Sequence, residues 1–107
     1  MKAIRWTGKT AVIDVSGDID MTSSPAFQDS LMDVLAEGPA RVVVNLADVP
    51  FMDSSGVATL VKVYRKARST GASMALAALG ERVRGIFEVT KLDSFFETHQ
   101  TVKEAMA

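Results

Sequence analysis

Residues 41–46, Arg-Val-Val-Val-Asn-Leu, form a run rich in β-branched residues that does not alternate between apolar and polar positions. Such a run is typical of a strand at the centre of a parallel sheet, where helices cover both faces. A helical apolar spacing follows from Ser54 or Ser55 to Ser69, and a short apolar segment follows that at residues 73–78. A strand, a helix and a second strand predict a parallel crossover unit, and therefore an α/β fold.

Further elements flank this unit on both sides. In chain order they are predicted as strands 3–7 and 10–16, a helix from Ser24-Pro25 to Gly38-Pro39, a helix around 83–87, a strand around Phe95-Phe96 and a last helix from about residue 99. The first two strands form a hairpin, and Ser24 is the hydroxyl expected to cap the helix ahead of Pro25. The prediction is a single domain over residues 1–107, with a mixed, mostly parallel sheet of about five strands and about four helices packed against it.

Composition excludes several classes of function. The 107 residues carry 12 Lys and Arg against 13 Asp and Glu, so the basic field that nucleic-acid binding needs is missing. The absence of cysteine and the single histidine argue against disulfide, redox and zinc chemistry, and no cofactor is expected. The amino terminus lacks the apolar stretch of a secretory signal, and the weakly polar run 72–80 is too short to cross a bilayer. We therefore expect a soluble, cytoplasmic monomer with no membrane partner.

Two loops leave the carboxyl ends of predicted strands, which is where sheets of this class collect their functional residues. They are Gly17 to Asp20 after the second strand and Ala47 to Asp53 after the third. If these strands run parallel, both loops emerge on one edge of the sheet and Asp20 lies next to Ser54. Two roles remain open for Asp20, a turn residue ahead of a helix and a contact for a partner.

Asp53-Ser54-Ser55-Gly56 stands where the second loop meets the long helix. In a structural interpretation one of these side chains caps the helix, and Gly56 lets the first turn approach the sheet. A cap needs only one hydroxyl, so a second is free for modification. A phosphate there would meet free N–H groups and the positive end of the helix dipole, opposed by the charges of Asp53 and Asp20. The fold should survive this load while a docked partner is repelled, so the segment also fits a binding switch.

The stretch 42–61, VVVNLADVPFMDSSGVATLV, resembles the signature of the STAS domains of bacterial anti-sigma factor antagonists. In that signature a strand ends in Asn or Asp, a short loop follows, and Asp-Ser-Ser/Thr-Gly opens a helix. The turn Gly17-Asp18-Ile19-Asp20 and Gly71 before the next strand also match the family. Ala58 stands where many members have glycine, and the resemblance spans the whole chain.

The resemblance implies a non-catalytic regulator that works by partner switching. Unphosphorylated members bind an anti-sigma serine kinase of the histidine-kinase-like ATPase fold, and the sigma factor is thereby released. Phosphorylation by that kinase separates the complex, and a serine phosphatase resets it. Carried over to this chain, the phosphoacceptor is Ser54, flanked by Asp53 and Ser55, with Asp20 beside it on the partner-facing edge. The residues expected to bind the partner are Asp20, Met52, Asp53, Ser55 and Gly56. For Met52 and Phe51 a second interpretation stays open, in which at least one of them packs in the core.

Two other functions stay open. Domains similar to STAS also serve as scaffolds or regulatory subunits in signalling and lipid-transport assemblies. A small serine hydrolase would use Ser54 or Ser55 as nucleophile and His99 as base, but the glycine that a nucleophile elbow requires two positions before the serine is missing. His99 falls in the terminal segment, where a solvated or helix-capping role is expected.

Overall fold

The computed structural model describes residues 2–107. This part of the chain contains, in order, β1 Lys2–Thr7, β2 Thr10–Ser16, α1 Ser24–Ala36, β3 Arg41–Asp48, α2 Ser54–Ser69, β4 Ser73–Ala77, α3 Glu81–Val89, β5 Glu97–His99 and α4 Val102–Met106. The strands form one sheet in the order β1-β2-β3-β4-β5, in which β1 is antiparallel to β2 and the other neighbours are parallel. The predicted α/β fold with a mostly parallel sheet is confirmed. None of the helices described is long and apolar enough to cross a membrane.

Strand β3 is buried on both of its faces. Val42 and Val44 belong to the core that α1, α2 and α3 cover, whereas Val43 packs on the opposite face with Ala105 of α4. All three valines are fully buried. The lack of alternation in this segment therefore has the predicted cause, which is a layer of helix on each side of the sheet.

The start of α1 differs from the prediction in the group that holds it. Ser24 is buried as the first helical residue, and the side chain of the N-cap residue, Ser23, makes no capping hydrogen bond to the first turn. Instead the Asp20 carboxylate accepts hydrogen bonds from the N–H groups of Thr22 at 2.9 Å and Ser23 at 3.1 Å. The Ser23 hydroxyl donates to the Asp18 carbonyl at 2.9 Å. These two amides precede the helix, whereas the first helical N–H, that of Ser24, donates to the Asp20 carbonyl at 2.8 Å and Pro25 has none, so the hydroxyl cap expected of Ser24 does not form.

The last strand and helix begin later than predicted. Phe95 and Phe96 lie in a turn, and β5 is Glu97–His99, while α4 begins at Val102. The rings of Phe95 and Phe96 pack edge to face against Tyr64, with centroid distances of 5.0 and 5.8 Å. Packing against α2 accounts for the apolar pair, so its composition did not mark a strand.

Candidate functional site

The loops after β2 and β3 are hydrogen-bonded to each other at the carboxyl edge of the sheet. Ile19 and Met52 form an isolated parallel bridge. The Ile19 N–H donates to the Phe51 carbonyl at 3.0 Å, and the Asp53 N–H donates to the Ile19 carbonyl at 3.0 Å. The prediction that both loops share one edge is confirmed, and backbone hydrogen bonds fix their relative position.

Helix α2 is capped by Asp53 together with Ser55. Asp53 has extended backbone angles, φ −100° and ψ −174°. Its Oδ1 accepts from the Ser55 N–H at 2.9 Å and from the Ser55 hydroxyl at 2.5 Å. Its carbonyl accepts from the N–H groups of Gly56 at 3.1 Å and Val57 at 3.3 Å. The capping role predicted for this segment is confirmed, and it uses one serine of the pair.

Ser54 is the serine of the pair that takes no part in the cap. Its side chain is exposed at the first position of α2, and its hydroxyl has no hydrogen-bond partner within residues 2–107. The prediction that a phosphate here would meet free N–H groups is wrong for three of them, because the amides of Ser55, Gly56 and Val57 already donate hydrogen bonds to Asp53. A group attached to the Ser54 oxygen would therefore project into solvent.

Two ionised carboxylates stand beside Ser54. The hydrogen bond from the Ser55 hydroxyl holds the pKa of Asp53 below its usual value, and the negative charge of Asp20 acts in the opposite direction. Hydrogen bonds from the Thr22 hydroxyl and from the N–H groups of Ser23 and Thr22 lower the pKa of Asp20. Both groups are therefore negative at neutral pH, and Asp20 lies close enough for its charge to affect Asp53, as its predicted position requires.

Removal of the Asp53 carboxylate is expected to have a pH-dependent effect. Because the pKa of Asp53 is lower in the folded state, its contribution to stability is fully present above the unfolded value of about 3.9 and is lost as the pH falls through the folded value. In urea denaturation, Asp53→Ala should therefore lower the midpoint at pH 7 and less so at pH 3. Asp29→Ala is the control, since Asp29 is exposed on α1 and its carboxylate has no hydrogen bond in the described chain. An Asp53→Ala effect of equal size at both pH values would contradict this role.

Met52 and Gly56 are packing residues, and their role as partner contacts stays a prediction. Met52 is 2% exposed, and Gly56 is buried. A Cβ atom placed on Gly56 would lie 2.5 Å from the Met52 Cγ and 2.8 Å from the Ile19 Cγ2. These residues hold the first turn of α2 against the bridge between the two loops.

The structure does not pair either serine with a histidine. His99 lies in β5 rather than in a terminal capping position, and its Nε2 is 2.7 Å from the Glu97 Oε2. Glu97 also forms an ion pair with Arg41. No hydrogen bond within residues 2–107 connects His99 to Ser54 or Ser55. The arrangement that a serine hydrolase would need is therefore not formed by these residues.

Arg82, which was not among the residues predicted for this site, also borders this edge. Its guanidinium lies over the ring of Phe51, with Cζ 5.6 Å from the ring centroid. Phe51 is half-buried in the loop before α2, and Arg82 is exposed in the first turn of α3. A cation at this end of a helix runs against the dipole preference, and that mismatch was the available signal.

A comparison with protein families matches the STAS domain over residues 2–105. The chain belongs to the STAS domain family. This STAS domain is 32% identical over 85 residues to the anti-sigma-B factor antagonist of Bacillus subtilis (strain 168), covering 79% of this chain and 77% of that one. The family predicted from the resemblance is confirmed, and this relative is named as an antagonist of an anti-sigma factor, not as an enzyme.

Solved structures show the same fold. An anti-sigma factor antagonist from Mycobacterium paratuberculosis matches this STAS domain with a TM-score of 0.90 and 28% identity, covering 99% of this chain and 90% of that one. The Bacillus cell fate determinant SpoIIAA in its phosphorylated form matches with a TM-score of 0.74 and 21% identity, covering 99% and 96%. The unphosphorylated form of SpoIIAA matches with a TM-score of 0.82 and 21% identity, covering 99% and 93%.

Proposed function

We propose that this STAS domain is a phosphorylation-controlled anti-sigma factor antagonist. In its unphosphorylated form it binds an anti-sigma serine kinase of the histidine-kinase-like ATPase fold, and the sigma factor is released. The kinase then phosphorylates Ser54, the complex separates, and a serine phosphatase restores the first state. The protein acts as a cytoplasmic monomer, and the nucleotide belongs to the kinase.

The observation that carries this proposal is the division of labour between two adjacent serines. Ser55 gives its N–H and hydroxyl to the Asp53 carboxylate, so it is committed to the helix cap. Ser54 is exposed and makes no hydrogen bond through its hydroxyl to any described residue. A kinase needs a serine oxygen that is accessible and not already bonded, and Ser54 meets both conditions.

The surroundings of Ser54 favour a change in binding over a change in fold. A phosphate adds between about one and a half and two negative charges. The first-turn amides that would attract it are mostly bonded to Asp53, while the carboxylates of Asp53 and Asp20 repel it. With little to gain from the helix, the phosphate stays in solvent. A partner that covers this edge would have to bury it, which makes binding far more sensitive than folding.

The relatives support the same function. The Bacillus subtilis relative is named for antagonising an anti-sigma factor, and it aligns with most of this chain. SpoIIAA, which shares the fold, has been solved both with and without phosphorylation. A domain of this fold therefore exists in the two states that the proposal assigns to this chain.

Phosphorylation of the chain by the kinase encoded beside its gene tests the proposal. With radiolabelled ATP, the wild type and Ser55→Ala should be labelled, whereas Ser54→Ala should not. Ser55→Ala is the matched control because it removes the neighbouring hydroxyl and leaves the Ser54 oxygen in place. Label that persists in Ser54→Ala would assign the modification to another residue, and no label in the wild type would favour a scaffold.

A further inference from the structure

The pair formed by Arg82 and Phe51 adds little net stability to the fold, because the position of Arg82 in its helix offsets the favourable contact of the cation with the ring. Arg82 lies in the first turn of α3, where the helix dipole disfavours a positive charge. Within residues 2–107 no carboxylate lies at ion-pair distance from its guanidinium. Its contact is with the face of the Phe51 ring, at 5.6 Å. The exposed guanidinium is therefore oriented by an aromatic ring and has no internal counter-ion.

The position of this pair relates it to the switch serine. Phe51 belongs to the loop that carries Asp53 and Ser54, and its carbonyl accepts the hydrogen bond that joins this loop to Ile19. The edge of the sheet thus presents two carboxylates, Asp20 and Asp53, and beyond them a half-buried aromatic ring that supports a cation. Both signs of charge therefore occur close to one loop, since the Phe51 ring that contacts Arg82 belongs to the residue two positions before Asp53.

A surface with this pattern selects both the partner and its orientation. Aromatic residues and arginine are enriched at the centres of protein interfaces. Charges of opposite sign at two places on one face accept a partner in one orientation and repel it in the reverse one. The planar guanidinium is suited to a carboxylate, with which it can form two parallel hydrogen bonds.

We propose that Arg82, held by Phe51, binds an acidic side chain of the anti-sigma kinase, so that the partner-binding surface extends from the Ser54 loop onto α3. This inference rests on the proposed function and adds to it a contact with a stated partner chemistry. It assigns to the kinase an Asp or Glu that faces Arg82. Arg82 then fixes the orientation of the complex, while Ser54 controls whether the complex forms.

Charge reversal at Arg82 tests this contact, with Arg84→Glu as the matched control. Arg84 is on the same helix two residues later, and its guanidinium is directed to the Leu79 carbonyl at 3.4 Å. In surface plasmon resonance with the immobilised kinase, Arg82→Glu should weaken binding about tenfold or more, mainly through faster dissociation, because a hydrogen-bonded charge pair is replaced by repulsion between two carboxylates. Arg84→Glu should change the affinity about twofold or less. Because a glutamate suits the first turn of α3, Arg82→Glu should not lower the melting temperature.

The outcomes separate this inference from the function on which it rests. Equal effects of Arg82→Glu and Arg84→Glu would reflect net charge alone and would overturn the contact. Unchanged binding by Arg82→Glu would also overturn the contact. The proposed function would still stand in that case if the wild type bound the kinase and Ser54→Asp did not. An Arg82→Glu effect confined to the phosphorylated protein would assign the guanidinium to the phosphate instead. If the wild type does not bind the kinase, both proposals fail.

Discussion

Ser54→Asp is expected to weaken binding of the anti-sigma kinase by about thirtyfold or more, because a charge buried at an interface without a counter-ion costs upwards of about 2 kcal/mol. The new carboxylate would stand beside those of Asp53 and Asp20, and the loop at residues 47–53 contains no Lys or Arg to balance its charge. Isothermal titration calorimetry with the purified kinase measures the effect directly. Circular dichroism should show an unchanged fold, since the side chain at this position is exposed.

Two control variants define the cause of that loss. Ser54→Ala removes the hydroxyl without adding charge, so it should bind about as tightly as the wild type. Ser69→Asp makes the same substitution at the other end of α2, where the side chain is also exposed. It should change binding little. Equal binding by Ser54→Asp and Ser54→Ala would count against a switch and in favour of a scaffold.

Gly56→Ala is expected to destabilise the protein, although alanine is the better helix former. The added Cβ would lie 2.5 Å from the Met52 Cγ and 2.8 Å from the Ile19 Cγ2, and both side chains are buried. Overpacking of this kind costs about 1–3 kcal/mol, whereas the gain in helix propensity is at most about 1 kcal/mol. A net loss of up to about 2 kcal/mol in the free energy of unfolding should appear in urea denaturation.

Gly85→Ala is the matched control for this change. Gly85 lies within α3, and a Cβ atom there would meet no atom within 4 Å. The same substitution should therefore stabilise the protein by about 0.4–1 kcal/mol. Opposite signs at the two glycines would show that close packing, rather than helix propensity, decides the effect at Gly56. A stabilising effect at Gly56 would remove the packing role assigned to it.

Some features of the fold follow from local sequence because one physical cause dominates them. The valine run at 42–44 predicted a strand buried on both faces. The strand is buried in this way because its valines belong to two hydrophobic clusters, one on each face of the sheet. The position of the loops after β2 and β3 at one edge of the sheet followed from the order of the elements, which predicted parallel strands. In both cases the signal and its cause lie within a single segment or a simple topology.

Other features depend on contacts between distant segments and were not accessible in this way. Met52 has the composition of an exposed anchor, but its bridge with Ile19 draws it into the core. Phe95 and Phe96 have the composition of a strand, but in the structure their rings pack against Tyr64 of α2. Only a structure reveals such partners, because nothing in the neighbouring sequence specifies them.

The candidate site likewise combines features that local sequence predicts with features that depend on contacts between distant segments. The sequence indicated that one of two serines would be spare, and the hydrogen bond between Ser55 and Asp53 shows which one. The approach of Arg82 to Phe51 joins residues 31 positions apart in the chain, and no local pattern predicts it. The sequence predicted the segment that we propose as a switch, whereas the surface around it required the structure.

The affinity of the kinase for the fully phosphorylated protein, compared with the unmodified protein, tests the central claim most directly. Mass spectrometry would establish complete modification at Ser54, and circular dichroism would establish that the fold is retained. The account predicts a loss of binding of about thirtyfold to several thousandfold with an unchanged fold. Equal affinity of the two forms, or a loss of binding accompanied by unfolding, would contradict it.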